Sequence, residues 1–287
     1  MNTDNLETGA LRKVLKHYHI FKNSGSTFEA ILKRNYGKTF KSFDTAPGEK
    51  PLLQDSLAQI IQNTPTIRAY SSHTTRLPVP EIEGVTLFPV LFVREPLLRT
   101  RSVYQFLGKL TLREQVAKRL GRPIGAHLST ETRLAKTCAS FPAWLEAMLE
   151  CDAGRSYLSN SQTRFLSGRY NSRSAPLRTT SAGVRHFDIE QAKENLSSVT
   201  CIGRTESFEE DVRRISDLLQ RNGVRLELPR IRPKNVTSAD FGSPTRERVG
   251  AIHSAIGKDL GDRLSAFLEQ DMQLWEWVDQ RLSQGLT

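Results

Sequence analysis

The chain is poor in cysteine, in long apolar runs and in acid. Three cysteines, Cys138, Cys151 and Cys201, are scattered over 287 residues and form no Cys-x-x-Cys pair. They are too few for a disulfide scaffold and are read as buried or half-buried thiols. No stretch approaches 18 consecutive apolar residues, so no membrane-spanning helix is expected. The N-terminal stretch MNTDNLETGALRK has no charged start, apolar run or small-residue cleavage site of a secretory signal, so the expectation is a soluble, cytoplasmic protein. Internal repeats and low-complexity tracts are also missing. So are a helix-turn-helix, a zinc finger and an aromatic RNA-binding motif, and no nucleic acid is expected as a partner. Acidic residues number 31 against 41 Lys and Arg, for a formal net charge of +10. That imbalance favours anionic partners without choosing among nucleotides, nucleic acid, acidic sugars and a membrane surface.

Core-forming material is ample. Apolar residues make up 38 % of the chain, with 13 Phe and 3 Trp, enough for one large domain. Residues 17–37 read HYHIFKNSGSTFEAILKRNYG. His19, Ile20 and Phe21 close a buried strand. Asn23 to Thr27 form a polar turn, and Phe28, Ile31 and Leu32 recur at helical spacing until Gly37. Leu52 to Ile61 predict a helix, and Thr66 to Tyr70 predict a strand that runs into SSHTTR. The near-continuous apolar run VTLFPVLFV, residues 85–93, predicts a strand buried on both faces of a parallel sheet, with Pro89 moving its usable start to Val90. A helix over 97–107 follows. Residues 109–150 read as a mostly helical insertion interrupted at Gly121 to Gly125. SVTCIG, residues 198–203, predicts a further strand, and Phe208 to Leu219 an amphipathic helix. A Pro- and Arg-containing loop over 228–248 precedes a helical C-terminus at about 246–282. Strands alternating with helices indicate an α/β fold, a mainly parallel sheet flanked by helices, read as a single domain over 1–287.

Two segments carry chemistry. In FKNSGST a strand opens through a glycine-containing turn into a helix, which presents free N–H groups and the positive end of the helix dipole. Lys22 adds a point charge, and Ser26 and Thr27 add hydroxyls. This is a P-loop-like phosphate site, but not the G-x-x-x-x-G-K-[ST] loop of nucleotide kinases. In VREPLLRTRSVYQF, Arg94 stands where the apolar strand ends, the ligand edge of an open α/β sheet. Ser102 follows two helical turns later, so that the two can grip one phosphate; the structural alternative is a helix-start salt bridge to Glu95.

FKNSGST resembles the 5′-phosphosulfate loop of the sulfotransferases, usually Pro-Lys-x-x-Gly-[Ser/Thr]-Thr. VREPLLRTRSVYQF resembles their 3′-phosphate motif. The match is closer to the carbohydrate branch, which includes the heparan sulfate 2-O- and 6-O-sulfotransferases and bacterial relatives. There a histidine lies between the two motifs, as His73 does here. NSQTRFLSG (160–168), CIGRTESFEE (201–210) and DMQLWEWV (271–278) resemble further family segments. Phe21 stands where the family often has Pro, and Glu95 replaces its usual Asp. The resemblance implies 3′-phosphoadenosine 5′-phosphosulfate (PAPS) as donor and adenosine 3′,5′-bisphosphate (PAP) as product, with no metal. It implies that Lys22, Asn23, Ser24, Gly25, Ser26 and Thr27 hold the 5′-phosphosulfate, and Arg94 and Ser102 the 3′-phosphate. His73 is the base and Lys22 acts on the bridging oxygen. Arg164 is assigned to an anionic ligand or to bracing the sheet, and Phe208 to stacking on adenine or to the core. His17 and His19 alternate on a strand and are read as forming no metal cluster.

The acceptor is expected to be an anionic glycan or glycolipid. Ten basic residues face three Glu between Arg94 and Lys136, and six Arg face no acid between Ala153 and Phe187. A P-loop nucleotide kinase is the nearest alternative. It requires a Gly-Lys-[Ser/Thr] ending and a magnesium-binding acid at a strand end, and neither is found. A basic nucleic-acid-binding module is the other.

Overall fold

The structure, a computed structural model, describes residues 11–46, 49–119, 128–168, 176–228 and 243–285. Five parallel strands form its central sheet: β1 (Arg12–Tyr18), β2 (Phe40–Ser42), β3 (Ala69–Ser72), β4 (Val85–Val93) and β7 (Cys201–Arg204), in the order β2-β3-β1-β4-β7. A two-stranded antiparallel pair, β5 (Arg178–Thr179) and β6 (Arg185–His186), lies apart. The α/β reading with a mainly parallel sheet holds.

Alternation along β1 sorts the helices onto two faces. Leu15 packs with Phe28, Ile31 and Leu32 of α1 (Gly25–Tyr36) and with Val212, Ile215 and Leu219 of α10 (Phe208–Arg221). Val14 and Tyr18 point to the other face. They meet Leu57 and Ile61 of α2 (Gln54–Gln62), α8 (Ser161–Leu166), α9 (Ile189–Ser197), and Leu274 and Val278 of α12 (Lys258–Ser283). A third apolar cluster is mainly helical. It joins α3 (Pro96–Leu107), α5 (Thr130–Thr137), α6 (Phe141–Glu150), α7 (Asp152–Leu158) and α11 (Thr245–Ile256) to the first half of α12, around the fully buried Trp144. A short helix α4 (Leu112–Arg119) precedes α5.

Several boundaries differ from the sequence reading. β1 ends at Tyr18, so His19 to Phe21 belong to the loop. β4 runs through Pro89 instead of starting at Val90. Pairing with β7 begins only at Val90, so up to Pro89 this flank of β4 is a sheet edge, where a residue without an N–H is tolerated. The strand expected at 66–70 is shifted to Ala69–Ser72, and β2 was not foreseen. The interruption at Gly121 to Gly125 and most of the loop over 228–248 lie outside the described residues.

Candidate active site

The strand order places the site. The chain leaves β1 to form β2 and β3 on one side, then returns to place β4 on the other. The crevice of such a sheet opens beyond the C-terminal strand ends, where the order reverses. Three loops therefore meet there: Lys22 follows β1, His73 follows β3 and Arg94 follows β4.

The loop after β1 is a strained turn into α1. Lys22 and Ser24 have φ of 67° and 59°, values that L-residues adopt rarely and that cluster at ligand clamps. Gly25 is required by packing: a Cβ there would lie 1.8 Å from the His19 ring. The N–H of Thr27 bonds the Ser24 carbonyl at 3.0 Å, while those of Gly25 and Ser26 sit in the first turn, beyond reach of an intrahelical acceptor. Asn23 is turned inward. Its side chain donates to the Phe92 carbonyl (2.8 Å) and to Gln162 Oε1 (2.7 Å), and its N–H donates to the Ile20 carbonyl (3.2 Å). It braces the loop.

Lys22 Nζ lies 4.5 Å over the Phe106 ring and 5.9 Å over that of Phe21. Burial, reinforced by the cations of Arg94, Lys109 and Arg99, lowers its pKa to about 8. Arg94 Nη1 donates to the Lys22 carbonyl at 2.9 Å. Its Nε faces Glu206 Oε1 at 3.7 Å, too far for a hydrogen bond, and both atoms are buried without another partner among the described residues. The guanidinium is therefore anchored at Nη1 and held against the Glu206 carboxylate at Nε. Glu95 does not pair with it through the helix-start salt bridge that was the structural alternative. Its carboxylate caps α3, accepting from the N–H groups of Leu97 (3.1 Å) and Leu98 (2.6 Å), and burial raises its pKa to about 7. Ser102 is half-buried on α3. It shares a helical face with Arg99, which donates to the Phe21 carbonyl (3.1 Å), and with Phe106, which meets Phe21 edge-on at 5.3 Å. The i, i+3, i+7 spacing turns Ser102 toward the same loop.

His73 is half-buried, with Nδ1 2.9 Å from the His19 carbonyl and its ring stacked 3.6 Å from that of His19. A carbonyl only accepts, so Nδ1 carries the proton and Nε2 keeps its lone pair. Asp44 holds the His73 N–H at 2.6 Å. Burial first, then His19, lowers the His73 pKa, with Asp44 opposing. The ring is neutral at pH 7.

Four residues that the sequence reading did not single out hold this geometry. Gln162 Oε1 accepts from Asn23 Nδ2 and from the Arg94 N–H (3.0 Å), and its Nε2 donates to the Arg94 carbonyl (2.8 Å). One amide thus ties the loop after β1 to the loop after β4. Asp271 of α12 accepts from the N–H groups of Gln162 (3.0 Å) and Thr163 (2.7 Å) at the start of α8. Arg99 Nη1 donates to Ser161 Oγ (2.5 Å), and Glu206 faces Arg94. Arg164 is half-buried on α8, where its charge, after burial and other neighbours, helps lower the pKa of Arg99.

Two expectations are corrected. Phe208 packs on Phe92, ring centroids 5.0 Å apart, and is 8 % exposed; its ring belongs to the core and is not offered to a base. His17 and His19, read as forming no metal cluster, do sit in a group close enough to hold a cation. His17 lies on the α1 face of β1 and His19 in the loop that follows, and with Glu29 of α1 they bring three ligand atoms within 4.8 Å of one another. Glu29 Oε1 already meets His19 Nδ1 and Ser42 Oγ, both at 3.3 Å. The His19 bond, ahead of its other neighbours, holds the Glu29 pKa at about 2.

Comparison with known proteins places the chain in a family. A protein of Archaeoglobus fulgidus, itself uncharacterised, is 28 % identical over 280 residues, spanning 96 % of this chain and 99 % of its own. The model of the sulfotransferase family matches residues 10–277. That match takes in all three loops of the crevice and the α8 and α12 residues that brace them, and the chain belongs to the sulfotransferase family.

Proposed function

We propose that the protein moves a sulfuryl group from PAPS to a hydroxyl of an acidic carbohydrate or glycolipid, releasing PAP, with residues 1–287 acting as one catalytic domain. The observation that carries this reading is the meeting of Lys22, His73 and Arg94 at one crevice. The loop of Ser24, Gly25, Ser26 and Thr27 receives the 5′-phosphate on first-turn N–H groups and hydroxyls. Asn23 acts from behind by holding the loop's shape. Arg94, at the end of β4, and Ser102 receive the 3′-phosphate. Arg164 lies on the helix that braces them and is kept as a candidate for the anionic ligand.

In the reaction the acceptor oxygen attacks sulfur in line. His73 Nε2 takes the hydroxyl proton as the new S–O bond forms. The bond from sulfur to the bridging oxygen breaks, and its electron pair goes to the 5′-phosphate of PAP. Lys22 neutralises the charge growing on that oxygen. Its pKa of about 8 leaves it mostly protonated at pH 7, and the anionic donor raises that fraction further.

The acceptor class rests on the basic surplus of residues 94–136 and 153–187. Donor carrying labelled sulfate, incubated with paired acidic and neutral glycans and with lipid-linked glycans, tests it. Transfer to acidic acceptors is expected to exceed transfer to neutral ones at low salt. Equal labelling of both would remove the acceptor assignment, and no labelling of any hydroxyl acceptor would remove the reaction.

A further inference from the structure

A cavity of about 820 Å³ opens at the end of the sheet opposite the crevice, lined by residues at the start of β1, the end of α1 and the segment after α10. β1 spans seven residues, so roughly 20 Å of strand separates the cavity from Lys22. None of the residues assigned to donor or base lines it.

Its walls are cationic. Arg12, Lys13, Arg34, Arg68 and Arg225 line it, against the single acid Glu227. Glu227 is paired with Arg225. No carboxylate among the described residues pairs with Lys13, Arg34 or Arg68. The frame is fixed by bonds that do not consume those charges. Arg12 is anchored on the carbonyls of Ile61 (2.6 Å) and Thr64 (3.1 Å). Asn35 exchanges two bonds with the backbone of Glu227, at 2.9 and 2.7 Å. Tyr36 OH donates to the Arg225 carbonyl at 3.3 Å. Beside the Arg225–Glu227 pair, the four cations of Arg12, Lys13, Arg34 and Arg68 repel one another, which a ligand of opposite charge relieves.

We propose that this cavity is a second, non-catalytic site for an organic oligoanion carrying sulfate or phosphate esters. The volume argues against a single inorganic ion, since it lies within the range that encloses a drug-sized ligand, about 300–1,000 Å³. The charge argues for several esters on one frame. An acidic oligosaccharide and a nucleotide share that chemistry, and the first would let a chain dock far from the hydroxyl being modified.

The test needs binding alone and stands whether or not sulfuryl transfer is observed. A sulfated hexasaccharide, a nucleoside triphosphate and inorganic sulfate are each titrated by calorimetry into the full chain, and the exchange of backbone hydrogens is mapped with and without each. Expected is binding of one of the two organic anions, with protection at residues 12–13, 34–36 and 224–227, and at least tenfold weaker binding by Arg34→Glu/Arg68→Glu. Arg34→Gln/Arg68→Gln should fall between. All three proteins should melt together, since both side chains are exposed. Protection confined to residues 20–27, unaltered affinity in the Glu variant, or inorganic sulfate binding as tightly as both organic anions would overturn the proposal.

Discussion

Burial lowers the pKa of both His73 and Lys22 and leaves them in opposite charge states at neutral pH. His73 is neutral because its pKa is pushed below the usual 6.5; Lys22 is protonated because its pKa stops at about 8. A base must be unprotonated and an acid protonated, so kcat/KM should rise through the His73 pKa below pH 6.5 and fall again around pH 8. His73→Ala should abolish the rising limb and cut turnover roughly 10²–10⁴-fold while nucleotide affinity stays near wild type. Lys22→Arg should carry the falling limb to higher pH, because a guanidinium does not titrate in this range. A pH–rate profile of each variant checks this; a wild-type rate in folded His73→Ala would remove it as base. At this scale the sequence was legible where a residue's chemistry and strand-end position coincide, as for Lys22, His73 and Arg94. It was illegible where direction decides. Asn23 sits in the middle of the phosphate loop yet points into the core, and Phe208 has the same apolar spacing whether it faces a nucleotide or Phe92.

Helix α8 is the element on which the loops after β1 and β4 depend. Its six residues are too short to stand alone; Asp271 holds its first N–H groups, and Gln162 passes that order to Asn23 and Arg94. Gln162→Ala strands the Arg94 N–H and carbonyl and takes one of the two acceptors from the Asn23 amide, at a cost of about 2–3 kcal/mol, and should weaken donor binding more than acceptor binding. Asp271→Ala removes the acid that most supports the buried Arg99 charge, together with the acceptor of the Gln162 and Thr163 N–H groups, and should cost about 3 kcal/mol or more. Urea unfolding, with donor titrations on the folded variants, checks both; unchanged stability in either would show that α8 is held otherwise. The long amphipathic helices and β4 were legible from apolar periodicity alone. β2, β5 and β6 were not, because strands of two or three residues carry no period. Gln162 could have been noticed only as an uncharged polar residue within a segment that must pack, since its partners lie 139 and 68 positions away.

Across the whole molecule, the parallel α/β class followed from strand–helix alternation, but the order β2-β3-β1-β4-β7 did not, because spacing along the chain says nothing about which strands become neighbours. That order is what brings three loops to one crevice and leaves the cationic cavity at the far end. The transfer scheme routes no step through a metal, so turnover should survive excess chelator even though His17, His19 and Glu29 can hold a cation. Loss of turnover with rescue by magnesium would favour a kinase-like reaction instead. Acidic and neutral acceptors should converge as salt is raised, because exposed charges are screened over a Debye length of about 8 Å at physiological ionic strength. What separates a phosphosulfate site from any other phosphate loop is a dedicated clamp for the 3′-phosphate. Calorimetric titration of the full chain with adenosine 3′,5′-bisphosphate and with AMP measures that clamp alone. At least tenfold tighter binding of the bisphosphate, about 1.4 kcal/mol, with the difference erased in Arg94→Ala, is the expected result, and equal affinities in the wild-type protein would contradict it.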